Sequence, residues 1–281
     1  DNLPRIIVDE LQNLANSSEW LLLLKRCLEL SDQHSGSAVL FNFLGCAQLQ
    51  KGYPILAEAA FKKSISNDPA FFAGYTNLGN ALVALERFEE AEEVHKTAAK
   101  LNPTHAQTQN NLGTLYEALA RYEEAYECFE KAASLDPEYA TSHYNLAAVN
   151  LRFKNFKEGW SKREARWDRE VNEEWMPPIQ TEKPLWSGCK ADRLYVWSEQ
   201  GVGDEVMFAS CFNDLLPKCN SLVVACNSRL LPLFQRSFDK EIEFVDRIEG
   251  LPDDKFACHA PALTATGLVR QDLKDFGSAA F

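Results

Sequence analysis

One segment in the second half of the chain combines residue types that could bind a ligand. Glu199-Gln-Gly-Val-Gly-Asp204 lies between the apolar run at residues 194–198 and a stretch with helical periodicity. Glycines at such a junction allow a tight turn, and the free amides at a helix start attract anions. We therefore predict a ligand loop that consists of Glu199, Gln200, Gly201 and Gly203. The alternative interpretation is a tight turn capped by Asp204.

The glycine pattern of this loop also bears on nucleotide or dinucleotide binding. A dinucleotide fingerprint needs a third glycine, and position 206 is Val. The adjacent carboxylates Asp204 and Glu205 complement the positive end of a helix, yet they would compete with a bound phosphate. We therefore rank this function below the two considered at the end of this section.

Strands and helices alternate around the loop. The runs typical of strands are residues 194–198, 221–226, 241–245 and 255–258, and a helix is expected to open at Pro261. This alternation predicts a parallel, Rossmann-like sheet within residues 184–281. His259 follows the last of these strands, at the position where α/β sheets place ligand-binding groups. It could orient an acceptor or be a buried structural histidine.

One fixed interval organises the first half of the chain. Two series show it: Pro69, Pro103 and Pro137, and Gly45, Gly79 and Gly113. Small residues let two helices approach closely, and proline ends the second helix because it lacks an amide donor. Each period therefore predicts a helix hairpin, and such hairpins bury their apolar faces by stacking on one another. We call the number of residues from Gly45 to Gly79 along the sequence the repeat interval.

Three asparagines recur at the repeat interval, namely Asn77, Asn111 and Asn145. A side-chain amide donates and accepts at once, so stacked asparagines could hydrogen-bond the backbone of a peptide without reading its side chains. The alternative is that each asparagine bonds a neighbouring helix or water.

The repeated residues resemble the tetratricopeptide repeat. The resemblance implies a degenerate helix pair over residues 1–37 and repeats over residues 38–165. It also implies that the first helices line a groove that holds an extended peptide or a protein partner. The asparagine series is similar to the ladder in the repeats of O-GlcNAc transferase, which would place Asn77, Asn111 and Asn145 in that groove.

The second half resembles a bacterial glycosyltransferase-like domain similar to the family 9 glycosyltransferases, which include heptosyltransferases. The resemblance rests on Trp186-Ser-Gly, on the loop at 199–204 and on residues 252–261, behind a linker at 166–183. It implies that Asp204 is the general base in sugar transfer from a nucleotide sugar, with no other cofactor. Residues 184–281 suffice for the first lobe only, so we expect a fragment of a longer protein that is inactive by itself.

Charge and cysteine content restrict the possible partners and location. The formal net charge is −12 and lies mostly within residues 1–150, which disfavours nucleic-acid binding. No apolar run approaches the length of a membrane span. The eight cysteines include no C-x-x-C pair, so we predict reduced, buried thiols in a cytoplasmic protein and no metal site.

Together these patterns predict a helical tetratricopeptide repeat solenoid followed by an α/β, Rossmann-like lobe with a parallel sheet. The leading functional hypothesis is protein interaction through the repeat groove, coupled to glycosyl transfer in the full protein. A scaffold with an inert lobe is the alternative.

Overall fold

The computed structural model describes residues 3–168, 179–199, 201–238 and 240–276. The chain divides into two compact units, Asp1–Asn145 and Leu146–Phe281. The predicted domain boundaries at residues 37, 165 and 183 stay predictions, and most of the predicted linker lies outside the described residues.

Helices that pack in pairs build the first unit. They are α1 (Arg5–Asn16), α2 (Trp20–Ser31), α3 (Ala38–Gln50), α4 (Pro54–Asn67), α5 (Phe72–Ala84), α6 (Phe88–Leu101), α7 (Ala106–Ala118) and α8 (Tyr122–Leu135). The boundary between the two units falls within the next helix, α9 (Ala140–Arg152). The second helices α2, α4 and α6 each pack on the first helix of the next pair, which is α3, α5 and α7 respectively. The predicted helical repeat solenoid is confirmed.

A close contact between a glycine and a ring joins the two helices in three of the pairs, α3 with α4, α5 with α6 and α7 with α8. A Cβ atom added to Gly45 would lie 2.5 Å from the ring of Phe61, and Gly113 faces Phe129 in the same way. In the middle pair the ring opposite Gly79 is His95. All three rings are fully buried, so the glycine is required because any side chain there would displace the ring.

The turn inside each pair has the same geometry throughout. A residue with positive φ follows each first helix, at Ser18, Gly52, Glu86, Ala120 and Lys154. The next backbone N–H then bonds back into the first helix, as from Arg87 to the carbonyl of Leu82 at 2.9 Å. Such left-handed residues satisfy carbonyls at a helix end. Ser18 stands in register with the others, so α1 and α2 share the hairpin geometry of the repeats.

Two ion-pair clamps connect successive second helices. In each, an arginine before a second helix bonds one glutamate of the preceding second helix and one of its own. The clamps are Arg87 with Glu58 and Glu90, and Arg121 with Glu92 and Glu124. The Arg121 guanidinium lowers the pKa of Glu92 to about 2. Because corresponding members are one repeat interval apart, the clamps recur with the hairpins and fix how one pair stacks on the next.

The second unit contains a four-stranded sheet with the order β3-β2-β1-β4. Its strands are β1 (Ala191–Trp197), β2 (Cys219–Cys226), β3 (Ile242–Asp246) and β4 (Cys258–Pro261). Its helices are α10 (Phe156–Arg163), α11 (Val202–Ala209), α12 (Phe212–Leu215), α13 (Leu231–Ser237) and α14 (Ala262–Val269). All strand pairs are parallel, which confirms the predicted α/β lobe with a parallel sheet.

Strand alternation divides the core of this unit between the two sheet faces. Leu194 and Val196 of β1 belong to a large cluster with α11, α12 and α14, whereas Tyr195 and Trp197 face a smaller cluster around Phe256. The predicted start of the fourth strand at residue 255 was too early, because β4 begins at Cys258. Pairing of Leu194 with Cys258 sets its register, and residues 253–255 form a 3-10 turn instead.

We expect that His95→Phe stabilises the protein. His95 is fully buried, neither ring nitrogen has a hydrogen-bond partner among the described residues, and burial lowers its pKa to about 4. Phenylalanine occupies the equivalent site in the two neighbouring pairs. Removal of the unpaired polar atoms should raise the free energy of unfolding at pH 7 by about 1–3 kcal/mol, measured by urea denaturation.

The pH dependence gives a second readout of the same substitution. An unfolded histidine binds a proton below about pH 6.5, whereas folded His95 does so only near pH 4. The wild-type chain should therefore lose stability as the pH falls from 6.5 to 4, and the advantage of His95→Phe should grow over that range. A constant difference would contradict this account. The control is His143→Phe, because the His143 side chain bonds a carbonyl at the surface.

Candidate functional site

The three predicted asparagines lie on successive first helices, and each donates a hydrogen bond to an asparagine on the preceding first helix. The Nδ2 atom of Asn77 donates to Oδ1 of Asn42 at 2.8 Å. The same atoms join Asn111 to Asn80 at 2.9 Å and Asn145 to Asn110 at 3.0 Å. We call these six residues the asparagine ladder. These contacts correspond to the alternative interpretation of the sequence, in which each asparagine bonds a neighbouring helix.

The ladder leaves hydrogen-bonding capacity at its surface. Each bond uses the NH2 group of Asn77, Asn111 or Asn145, and no bond to their Oδ1 atoms is found within the described part of the chain. An amide oxygen accepts two hydrogen bonds. All three side chains are partly exposed, so these oxygens can accept N–H groups from a bound chain.

A hydrogen-bonded cluster of uncharged polar groups lies on the helices of the ladder, and its two threonines, Thr76 and Thr108, are buried. The hydroxyls of Thr76 and Thr108 lie 2.9 Å apart, and Nδ1 of His105 lies 2.8 Å from the Thr108 hydroxyl. The strongly acidic runs of this unit belong instead to the second helices α6 and α8. The partly exposed amides of the ladder can recognise a peptide backbone without selecting for its charge.

The predicted ligand loop lies at the carboxyl end of β1, next to the carboxyl end of β4. The chain continues from β1 to one side through β2 and β3, and β4 lies on the other side. Ligands of open α/β sheets bind in the crevice at such a switch point. Gln200 lies outside the described residues, so the structure locates only Glu199, Gly201 and Gly203 of the predicted loop.

Packing does not account for the two glycines of the loop. Among the described residues, a Cβ atom on Gly203 would meet no atom within 4 Å, and one on Gly201 would meet only a carboxylate oxygen of Asp204, at 3.7 Å. Neither glycine has a positive φ. The fold could therefore accept alanine at both positions, and an approach by a ligand would explain why glycine is present.

Asp204 and Glu205 occupy different environments in the first turn of α11. Glu205 is buried; it accepts a hydrogen bond from the backbone N–H of Asn227 at 2.7 Å and pairs with Arg247 at 2.8 Å. It thereby fastens α11 to the segments that follow β2 and β3. Asp204 is half-buried beside the exposed Gly203. Of these two carboxylates, Asp204 is the one that solvent and ligands can reach.

Glu199 forms part of a buried charge cluster. Its side chain is 1% exposed, and its Oε1 atom lies 3.0 Å from Nη2 of Arg166, which is equally buried. Arg166 also bonds Glu164 at 2.7 Å and the hydroxyl of Thr264, on α14, at 2.6 Å. Two carboxylates thus share one guanidinium, and burial raises the pKa of Glu199 to about 7.

Sequence reasoning did not identify Arg166 as a partner of the loop. It lies in the basic stretch before the lobe, where nothing in its residue type distinguishes it from the other cations. Its position depends on the packing of its own segment on α14. A Cβ atom added to Gly267, on α14, would lie 2.8 Å from the side chain of Trp160. The indole N–H of Trp160 donates to the carbonyl oxygen of Arg270 at 2.8 Å.

His259 lies within β4 as a buried, hydrogen-bonded side chain. Its Nδ1 atom accepts a bond from the indole N–H of Trp197 at 3.1 Å. Burial lowers its pKa, which a backbone hydrogen bond with Lys183 partly opposes. Both interactions are typical of a structural histidine. They favour the structural interpretation over that of an acceptor-binding group.

Three further features concern possible cofactors and membranes. Over the described ranges, no three His, Cys, Asp or Glu side chains are grouped closely enough to hold a metal ion. All eight cysteines are free thiols, and Cys189 is exposed. No helix in the described part of the chain has the length and hydropathy to cross a bilayer.

We expect that Glu199→Gln changes the pH dependence of stability. The folded carboxyl holds its proton up to about pH 7, whereas an unfolded one releases it near pH 4.5. The contribution of Glu199 is therefore present below pH 4.5 and is lost as the pH rises through 7. The glutamine side chain stays neutral, so the free energy of unfolding of the variant minus that of the wild type should rise between pH 4.5 and 7.

Chemical denaturation at several pH values measures this difference. The control is Glu243→Gln, which removes an exposed carboxylate paired with Arg193. A pH-independent difference for Glu199→Gln would show that Glu199 releases its proton at the same pH in the folded and unfolded chain. The same profile in the control would show that the effect is not specific to Glu199.

Comparisons with known sequences locate the repeats. Two profiles of the tetratricopeptide repeat family match residues 38–71 and 72–138. The chain is 38% identical to protein FlbA of Caulobacter vibrioides over 88 residues, which are 30% of this chain and 14% of FlbA. The chain therefore matches only 14% of the length of that curated relative.

Solved structures show the same fold. A thermophilic TPR protein of Thermus thermophilus is 21% identical, with a TM-score of 0.52 over 59% of this chain and 90% of its own. The pilF protein of Pseudomonas aeruginosa is 18% identical, with a TM-score of 0.51 over 56% of this chain and 72% of its own. Residues 38–138 of this chain are therefore similar to the tetratricopeptide repeat family.

Proposed function

We propose that the chain binds an extended protein segment along its first helices, through the asparagine ladder. The observation that carries this proposal is the common direction of the three amide bonds, which leaves Oδ1 of Asn77, Asn111 and Asn145 as a row of acceptors. An extended chain presents backbone N–H groups at regular intervals. Tetratricopeptide repeats imply protein interaction, and this row supplies a way to hold a main chain.

The experiment uses a short peptide selected from a random display library on the intact chain. We expect that the triple variant Asn77→Ala, Asn111→Ala and Asn145→Ala binds it about 10-fold more weakly or worse, because each hydrogen bond contributes about 0.5–1.5 kcal/mol. N-methylation of single peptide bonds should weaken binding at regularly spaced positions. Fluorescence polarisation measures both effects.

The matched control is the pair Asn13→Ala and Gln33→Ala, at exposed positions outside the ladder. Circular dichroism checks that the triple variant keeps its helices, since the ladder also joins them. Unchanged affinity in a folded triple variant, or tolerance of N-methylation at every position, would exclude recognition through the ladder.

We further propose that the second unit is a Rossmann-like, glycosyltransferase-like lobe that contributes to sugar transfer in the full protein. The strand order β3-β2-β1-β4 supports this, because it is the order of the first four strands of the doubly wound dinucleotide-binding fold. The position of the loop at the switch point supports it too. The free space at Gly201 and Gly203 would let a sugar nucleotide approach the backbone.

In this proposal the residues of the loop have separate roles. Asp204, half-buried and next to Gly203, deprotonates the acceptor hydroxyl. Glu199 and Glu205 hold the loop from either side through Arg166 and Arg247. His259 supports β1 through Trp197 rather than contacting an acceptor. We propose a cytoplasmic location, which the eight free thiols support.

Gly203→Ala separates ligand binding from folding. Alanine should raise the free energy of unfolding by about 0.4–1 kcal/mol, because Gly203 lies in the first turn of α11 and its Cβ would contact no atom of the described residues. The same substitution should weaken binding of uridine, adenosine and guanosine diphosphate sugars, measured by saturation-transfer NMR.

Asp204→Asn is the companion variant, and we expect it to retain sugar-nucleotide binding while it abolishes turnover in the full-length protein. Asp214→Asn, on α12, is the control. If none of these nucleotide sugars binds and turnover is absent, the lobe is an inert scaffold. Turnover that survives Asp204→Asn would assign the base elsewhere.

A further inference from the structure

The outer side of the second helices carries a surface that the ladder does not use. Positions one repeat interval apart in the sequence occupy equivalent places in successive hairpins. The second and third residues of each second helix are apolar in the first two hairpins and acidic in the next two. They are Leu21 and Leu22 in α2, Ile55 and Leu56 in α4, Glu89 and Glu90 in α6, and Glu123 and Glu124 in α8.

The apolar members of this series are strongly exposed. Ile55 is 70% exposed and Leu21 67%, and Leu22, Leu56 and the neighbouring Tyr53 are each more than half exposed. We call these five residues the apolar ridge. Exposed aliphatic groups that recur at equivalent positions of adjacent elements form a patch, and such patches mark interaction sites.

The same change occurs at the ion-pair clamps. Arg87, Glu58 and Glu90 form one clamp, and their equivalents one hairpin earlier are Tyr53, Leu24 and Leu56. The clamp geometry places the start of one second helix beside the preceding second helix. That register places Tyr53 and Leu56 beside Leu24, so apolar or aromatic residues replace all three charged members of the clamp at this junction.

An acidic surface continues the apolar ridge along the solenoid. The outward positions of α6 and α8 are Glu89, Glu93, Glu123 and Glu127, all exposed. None of these four carboxylates belongs to an ion pair among the described residues. Their negative charge is therefore available to a partner. On α4 the equivalent positions are occupied by Ile55 and Ala59, which are uncharged.

We propose that the apolar ridge and the acidic surface together dock one partner, an amphipathic helical protein segment whose apolar face is followed by basic residues. Charge complementarity selects this occupant, because a segment without cations would gain nothing from α6 and α8. Leucine or isoleucine side chains of the segment cover the apolar ridge, and lysine or arginine side chains pair with the four glutamates. This surface is independent of the first helices and of the asparagine ladder.

The test uses two synthetic fluorescein-labelled helical peptides and the intact chain. One peptide carries leucines along one face of its first half and lysines along the same face of its second half. The other has glutamates in place of the lysines. We expect the lysine peptide to bind, with an affinity that falls as salt increases, and the glutamate peptide not to bind.

Two variants locate the site. Ile55→Glu with Leu56→Glu should weaken binding of the lysine peptide on the order of 10-fold or more, because two aliphatic contacts are lost. Glutamate pairs occupy the equivalent positions 89–90 and 123–124, so this variant is expected to fold. Non-specific attraction would instead grow with the added negative charge, which makes a loss of affinity diagnostic.

Glu89→Lys with Glu93→Lys should also weaken binding and should reduce its salt dependence. The alanine variant of Asn77, Asn111 and Asn145 should bind the lysine peptide as the wild type does, which separates this surface from the ladder.

Equal binding of both peptides, or unchanged affinity in the Ile55 and Leu56 variant, would overturn the proposal. Sedimentation velocity provides a further outcome. If the wild type self-associates and the Ile55 and Leu56 variant is monomeric, the apolar ridge is a contact between copies of this chain and the proposed partner is wrong.

Discussion

The contact between a glycine on one helix and a buried ring on the next is the constraint on which the repeat unit depends. With a Cβ atom at Gly45 or Gly113, the ring of Phe61 or Phe129 could not stay in place. The close approach that glycine permits sets the geometry of these three hairpins, and the two arginine clamps then set how one of the three follows another. Both devices recur at the repeat interval, so the first helices align well enough for asparagines on different hairpins to bond.

Periodicity explains why much of this arrangement could be predicted from the sequence. The interval between Gly79 and Gly113 predicts both the hairpins and the equivalence of their surfaces, because each hairpin repeats the same local packing. Strand and helix alternation likewise predicts the parallel sheet. Periodicity does not reveal which amide atom donates in the ladder, nor that His95 lacks partners within the described residues, because those depend on the neighbours that each side chain meets.

The candidate loop of the second unit was harder to predict for the same reason. The residues at 199–205 contain three carboxylates, and their sequence does not distinguish their roles. Their partners do: Arg166 comes from the segment that precedes the sheet, and Arg247 from the segment that follows β3. The start of β4 was misplaced because its register depends on the pairing of Leu194 with Cys258 rather than on its own apolar run.

A hairpin repeat offers two exposed sides, and the chemistry of each can change without affecting the packing between them. On the first helices the amides persist through three hairpins, as a ligand with a regular backbone would require. On the second helices the outward residues change from apolar to acidic between α4 and α6, although buried Ala57 and Ala91 remain in register. Core packing cannot be the cause of that change, since the side chains concerned face solvent. An asymmetric partner, apolar at one end and basic at the other, accounts for it.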